Sequence, residues 1–279
     1  MHLSALDDAA WSSPWRRRAV LDKALLSAGL VLTALVLAPV PGGILVGVVA
    51  VAALLGPARV PARLLLGTMA PPALFIAIGA ASVAVSLGEP VADAWWSFGP
   101  FSLGAASVER AGGLAVHALA GTLAVLVLAT TTPMVDVLTS VRRLRVPDAC
   151  LEVASLIYRL LFVLADTAHT VRDAQRARLG DAPARPPGAP WRPGAVVAAR
   201  IESAGAAVGT VLVRSWERAR RLNEGLTGRG YEDALHTLPI ARARSPRFEV
   251  ATLALLALIW AVTLWSAQLT GVAPLRSAW

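Results

Sequence analysis

The chain has 279 residues, of which 56% are hydrophobic and 16% charged, with a mean hydropathy of +0.61. Soluble domains carry about 25% charged residues. Here four runs (24–58, 64–88, 111–135 and 250–275) contain no Asp, Glu, Lys or Arg at all, which excludes a soluble globule. The net charge of +8 would suit nucleic acid, but basic residues beside membrane spans have a topological reason to exist.

A bilayer crossing needs about 20 apolar residues. The run 24–58 is too long for one span and is broken by Pro39-Val40-Pro41-Gly42-Gly43, a cluster that cannot continue a helix. It reads as a hairpin of span one (20–38) and span two (42–56), both short enough to need tilt or local thinning. Span three covers 64–87, span four 112–132 and span five 248–269. Arg16, Arg17, Arg18 and Lys23 precede span one, and Arg59 and Arg63 separate spans two and three. The connection 88–111 holds Arg110 against Glu89, Asp93 and Glu109, with Trp95 and Trp96 as interfacial aromatics. Positive charge favours the cytoplasmic side, so the expected location is the cytoplasmic membrane with the amino terminus inside. Five spans then put the carboxyl terminus outside. The basic start and apolar core of 16–38 also have the pattern of a signal peptide. Cleavage would strip span two of its inside flank, so the segment is expected to be retained.

Residues 135–248 hold 18 of the 26 basic residues, and span four delivers them to the cytoplasm. They read as three helices. The first (135–144) ends before Pro147. The second (148–179) carries the stripe Val153, Ile157, Leu160, Leu164, Ala168 and Val171, in alternating steps of three and four. Its segment 149–165 is apolar enough to suggest a sixth span, but Arg159 would fall near the bilayer centre at a cost of about 2.5–3.5 kcal/mol. Five prolines between 181 and 194 make an extended linker. The third helix (196–228) carries Val197, Ile201, Ala204, Val208, Val211, Ser215, Ala219, Leu222 and Leu226, with Glu217 and Arg221 as an expected i,i+4 pair. The fold class is therefore an all-α polytopic membrane protein, with about five spans and a cytoplasmic helical coupling region. Its parts are a four-span region (1–134), the coupling helices (135–247) and a last span with its tail (248–279). Helices as long and amphipathic as these need a partner along their length.

The chemistry-bearing residues are sparse. Cys150 stands alone, so neither an internal disulfide nor a thiolate metal site is available. His2, His117, His169 and His236 have no ligand spacing, and no resident metal or cofactor is expected. His117 lies in an apolar run, where a histidine lines a polar path or, as expected here, is a satisfied interior group. No H-E-x-x-H, G-x-S-x-G, intramembrane aspartate pair or Lys–Ser dyad occurs, against an intramembrane enzyme. The helix ends are more informative. One reads Arg176-Ala177-Arg178-Leu179-Gly180-Asp181 and the other Gly228-Arg229-Gly230-Tyr231-Glu232-Asp233. One such end is an ordinary cap, because glycine suits C′ and arginine complements the helix dipole. Two on consecutive long helices suggest paired docking points for a two-headed partner.

These ends resemble the two Ala-Arg-Gly signatures of the T components of energy-coupling-factor (ECF) transporters, with the cobalt-type CbiQ members most similar. Arg214-Ser215-Trp216-Glu217-Arg218-Ala219-Arg220-Arg221-Leu222, leading to Gly228-Arg229-Gly230-Tyr231, looks like the second signature with Gly228 in place of alanine. Ala177-Arg178 looks like the first, with Leu179 inserted before Gly180. Leu21-Asp22-Lys23, Thr130-Thr131-Thr132-Pro133, Val141-Arg142-Arg143-Leu144-Arg145-Val146-Pro147 and Tyr158-Arg159 resemble further family segments. The resemblance implies a non-catalytic subunit bridging two ATPase subunits and a substrate-binding membrane S component. Arg178 and Arg229 would each enter an ATPase groove, flanked by Ala177, Gly180, Gly228 and Gly230. It also implies cobalt or nickel as cargo, with related vitamin importers as the open alternative. No phosphate loop G-x-x-x-x-G-K-[ST] is present, so ATP hydrolysis belongs to the partners. A permease or receptor working without ATPases is the competing reading.

Overall fold

The computed structural model describes residues 2–87, 94–98, 101–142, 146–177, 193–231 and 244–270. They form nine α-helices and a small sheet, in two compact units: residues 1–140 with 240–279, and residues 141–239.

In the first unit, α1 (His2–Ser12) was not anticipated from the sequence. It leads into a short 3-10 turn, Pro14–Arg17, capped by Ser13. There Trp15 is buried edge-on against Phe248, with centroids 5.3 Å apart. The basic cluster is also engaged: the Arg16 guanidinium lies 3.9 Å from the Trp11 ring and that of Arg18 4.5 Å from Phe248. Cations over aromatic faces are attracted by the ring quadrupole.

Helix α2 (Val20–Val36) forms the centre of this unit. Its buried positions Leu26, Leu30, Ala34 and Leu37 follow the helical period and meet Val46, Ala50 and Leu54 of α3 (Ile44–Leu55), Ala120, Ala124 and Val127 of α5 (Ala105–Ala129) and Ile259 of α9 (Pro246–Thr270). Small residues let helix backbones approach in a membrane. Ala124 shows the effect, because its carbonyl accepts a hydrogen bond from Ser27 Oγ at 2.7 Å. A Cβ at Gly29 would meet Leu256 Cδ1 at 2.5 Å, so α2 and α9 touch where glycine leaves room.

The hairpin break falls where the prolines require it. Val40 is extended (φ −122°, ψ 123°) within the kinked turn Pro39–Gly43. In a continuing helix the Leu37 carbonyl would pair with the N–H of residue 41, but that residue is proline and has none. His117 reaches this end: its Nε2 is 2.9 Å from Leu37 O and its Nδ1 2.9 Å from Gly113 O. The lone histidine is thus a part-buried group set between two helix carbonyls, to one of which a neutral imidazole donates.

Helices α4 (Ala62–Ala84), α5 and α9 are each long and apolar enough to cross a membrane. At 17 and 12 residues, α2 and α3 are shorter. Pro71 and Pro72 sit inside α4 without ending it, a tolerance known for membrane helices. Leu65 joins the core, while Leu66, Leu74, Phe75 and Ile78 are exposed, Phe75 by 79%, as a lipid-facing surface requires. Two elements differ from the sequence reading. Span three gives way at Val85 to a three-stranded antiparallel sheet of β1 (Val85–Leu87), β2 (Ala94–Phe98) and β3 (Phe101–Gly104), in the order β1-β3-β2. Trp95 and Trp96 therefore belong to a strand. Helix α5 also begins well before residue 112, because Ser107 Oγ accepts from Gly104 N–H at 3.1 Å and caps the helix there. Glu109 and Arg110 then fall inside it. Helix α6 (Met134–Val141) closes this part of the chain.

The second unit consists of α7 (Asp148–Ala177) and α8 (Pro193–Thr227). Arg142 Nε pairs with Asp148 Oδ1 at 2.8 Å, at the start of α7. On α8 the i,i+4 ion pair is Arg220–Glu224 at 3.0 Å, in place of the expected Glu217–Arg221. Helix α7 does not qualify as a span by apolarity, and its buried residues are Leu151 and Val171.

Candidate functional site

The sequence placed its candidate residues at the ends of α7 and α8. Ala177 is the last residue of α7, while Arg178 and Gly180 lie outside the described residues. The end of α8 is fully described, and its geometry follows from glycine. Gly230 has φ +72°, the left-handed conformation that a Cβ disfavours. Its N–H donates to Thr227 O at 3.1 Å, and the N–H of Tyr231 donates to Leu226 O at 3.0 Å. These two bonds define a Schellman cap with Gly230 at C′. Arg229 is thereby the last residue before the reversal, held at an exposed tip. Its Nη1 lies 3.3 Å from the Gly225 carbonyl, so the guanidinium folds back along its own helix.

Tyr231 carries a contact that the sequence did not reveal. Its hydroxyl donates to Glu152 Oε2 at 3.1 Å, tying the tip beyond α8 to the first turns of α7. The carboxyl end of α8 therefore lies beside the amino-terminal turns of α7, away from Ala177 at the other end of α7. At about 1.5 Å per residue, the stretch from Glu152 to Ala177 is about 37 Å long. Ala177, the described residue of the first candidate end, is therefore distant from the Gly230 cap.

The apolar stripe of α8 is divided: Val211, Leu222 and Leu226 are half-buried, whereas its first half and a neighbouring row are exposed. Val197, Ile201, Val208, Leu212 and Trp216 are all exposed, Trp216 by 75%. Exposed apolar side chains on an otherwise charged helix suit an interface.

A second polar constellation lies within the first unit. Lys23, 0% exposed, donates from Nζ to the Thr131 carbonyl at 2.9 Å. Its neighbour Asp22, 1% exposed, accepts from the Ser245 N–H at 3.0 Å through Oδ2. Thr130 and Thr131 are buried beside them, with hydroxyls bonded back to Leu126 O and Val127 O. The segments 21–23 and 130–133 were both noted in the sequence. Their meeting was not legible, because the bonds span 108 and 223 positions. Among the described residues, no group of three or more His, Cys, Asp or Glu side chains is placed to hold a metal ion.

Fold and helix ends together define a multi-pass helical membrane protein that carries a separate two-helix unit. The sequence profile of the CbiQ family, described as cobalt transport protein, matches residues 12–239. The cobalt transport protein CbiQ of Rhodobacter capsulatus is 34% identical over 248 residues, 88% of this chain and 92% of that protein. An uncharacterised protein of Methanocaldococcus jannaschii is 31% identical over 120 residues, 43% of this chain and 40% of its own. A putative fused cobalt transport protein CbiMQ of Methanocorpusculum labreanum is 30% identical over 181 residues, 63% of this chain and 30% of its own. The chain belongs to the CbiQ family of cobalt transport proteins.

Proposed function

We propose that the chain is the transmembrane coupling subunit of an ECF-type importer for cobalt or nickel ions. It passes the ATP-driven movement of two ATPase subunits to a separate membrane subunit that binds the ion. The metal is cargo, ATP is hydrolysed by the partners, and the chain itself is non-catalytic. One observation carries the reading. Helix α8, with exposed apolar residues such as Val208 and Trp216, ends in a glycine-capped arginine, Arg229, at an exposed tip.

Arg229 suits a groove lined with carboxylates because its planar fork pairs bidentately, which a lysine cannot do. Gly228 and Gly230 let the groove wall approach the backbone. Ala177, Arg178 and Gly180 take the same role after α7. Two docking points on two different helices suit two heads of one ATPase dimer, whose closure would draw them together. The fused CbiMQ relative, of whose length this chain matches 30%, supports a membrane partner at hand. The proposed organisation is a membrane region (1–134), coupling helices (135–247) and a final span and tail (248–279) in the cytoplasmic membrane. The amino terminus is inside and the carboxyl terminus outside. A reporter fused after Trp279 that proves cytoplasmic would overturn that five-span topology.

The docking assignment is tested by the double variant R178E/R229E, expressed with the ATPases. Loss of ATPase co-purification and of uptake is the expected outcome. Retention of both refutes the assignment.

A further inference from the structure

The motif Asp22-Lys23 has no part in docking, yet it is the most deeply buried charged pair among the described residues. Neighbouring residues on α2, with opposite charges, reach two different places. Lys23 binds the carbonyl of Thr131, just past the last residue of α5, where helix C-terminal carbonyls concentrate negative partial charge. Asp22 binds the N–H of Ser245, the residue before Pro246 opens α9. Ser245 O already accepts from Phe248 and Glu249, so this is the positive end of that helix. Each charge thus complements the dipole end it touches.

These two places are the crossings through which the intervening chain is attached. After α5 the polypeptide runs through α6 to the α7–α8 unit, and before α9 it returns. Burial of charges is a poor route to stability, since replacing a buried pair with apolar residues is often neutral or favourable. Here one carboxylate oxygen of Asp22 even lacks a partner among the described residues. The pair's distinctive product is positional: it fixes both crossings to one turn of one helix.

From this geometry we infer that Asp22 and Lys23 are positioning residues for transmission, clamping the exit and return of the coupling helices to the membrane core. The inference rests on the coupling role proposed above. With the clamp intact, movement of the coupling helices must pass into α2, α5 and α9. With it broken, the helices swing while the core stays still.

The test uses the chain assembled with its partners in membrane vesicles, comparing wild type, K23M, D22A and D22N. ATPase retention, ATP hydrolysis and metal uptake are measured per chain in the membrane. K23M and D22A are expected to keep their ATPases and hydrolyse ATP, while ions moved per ATP fall about tenfold, within the usual range of coupling between sites. D22N is expected to lose less, because its amide oxygen still accepts from Ser245 N–H. Unchanged ions per ATP in K23M and D22A overturns the inference and leaves docking intact. A fall in uptake that only tracks lost ATPase retention also overturns it, because that is the mark of a merely structural pair. A wild-type chain that retains no ATPase refutes the coupling reading and this inference together.

Discussion

The two units of this chain bury their apolar residues in opposite ways. In the first, Leu30, Leu37, Val46 and Leu54 are fully enclosed by the chain's own helices. What remains exposed there, such as Phe75 and Ile78 on α4, lies on a helix without charges beyond Arg63. Such a helix is satisfied by lipid. In the second unit, Val208, Leu212 and Trp216 are exposed on a helix whose other positions include Arg214, Glu217, Arg218, Arg220 and Arg221. That pattern fits neither lipid nor water on all sides. Exposed apolar surface alone therefore does not mark an interface; its charged neighbours do.

The contrast can be broken by substitutions that damage one unit and not the other. Val208→Asp with Leu212→Asp should cost more than tenfold in partner assembly by pull-down, yet leave thermal stability within about 0.5 kcal/mol, as exposed sites usually do. A large stability loss instead would mean that the stripe already has a partner within the chain. Leu30→Ala reverses the pattern. It should destabilise the purified protein by about 2–5 kcal/mol through transfer and cavity terms, read as a lowered Tm in detergent. Gly230→Ala tests the join between geometry and docking. Placing a Cβ at φ +72° costs about 1–2 kcal/mol, a small loss that should fray the cap and weaken ATPase retention without abolishing it.

Much of the fold was legible because apolar periodicity and proline are local signals. The hairpin break at Pro39–Gly43 and the long helices α7 and α8 fall within a few residues of their expected bounds. The sheet was missed because Val85–Leu87 continues an apolar run, and only pairing with Phe101–Leu103 makes it a strand. The early start of α5 was missed because a serine hydroxyl, Ser107, caps it within a turn of two charged residues. At the candidate site, Gly230 announced its own conformation, whereas Tyr231–Glu152 and Lys23–Thr131 join residues 79 and 108 positions apart. Such pairs leave no local pattern to read.

Site-specific photo-crosslinking in the assembled complex tests the central claim most directly. A photoreactive residue is placed in turn at Arg178, at Arg229 and, as the lipid-facing control, at Leu74 of α4, which is exposed but uncharged in its surroundings. Positions 178 and 229 should both capture the ATPase, and position 74 should not. Capture at neither arginine, or equal capture at Leu74, would contradict the account.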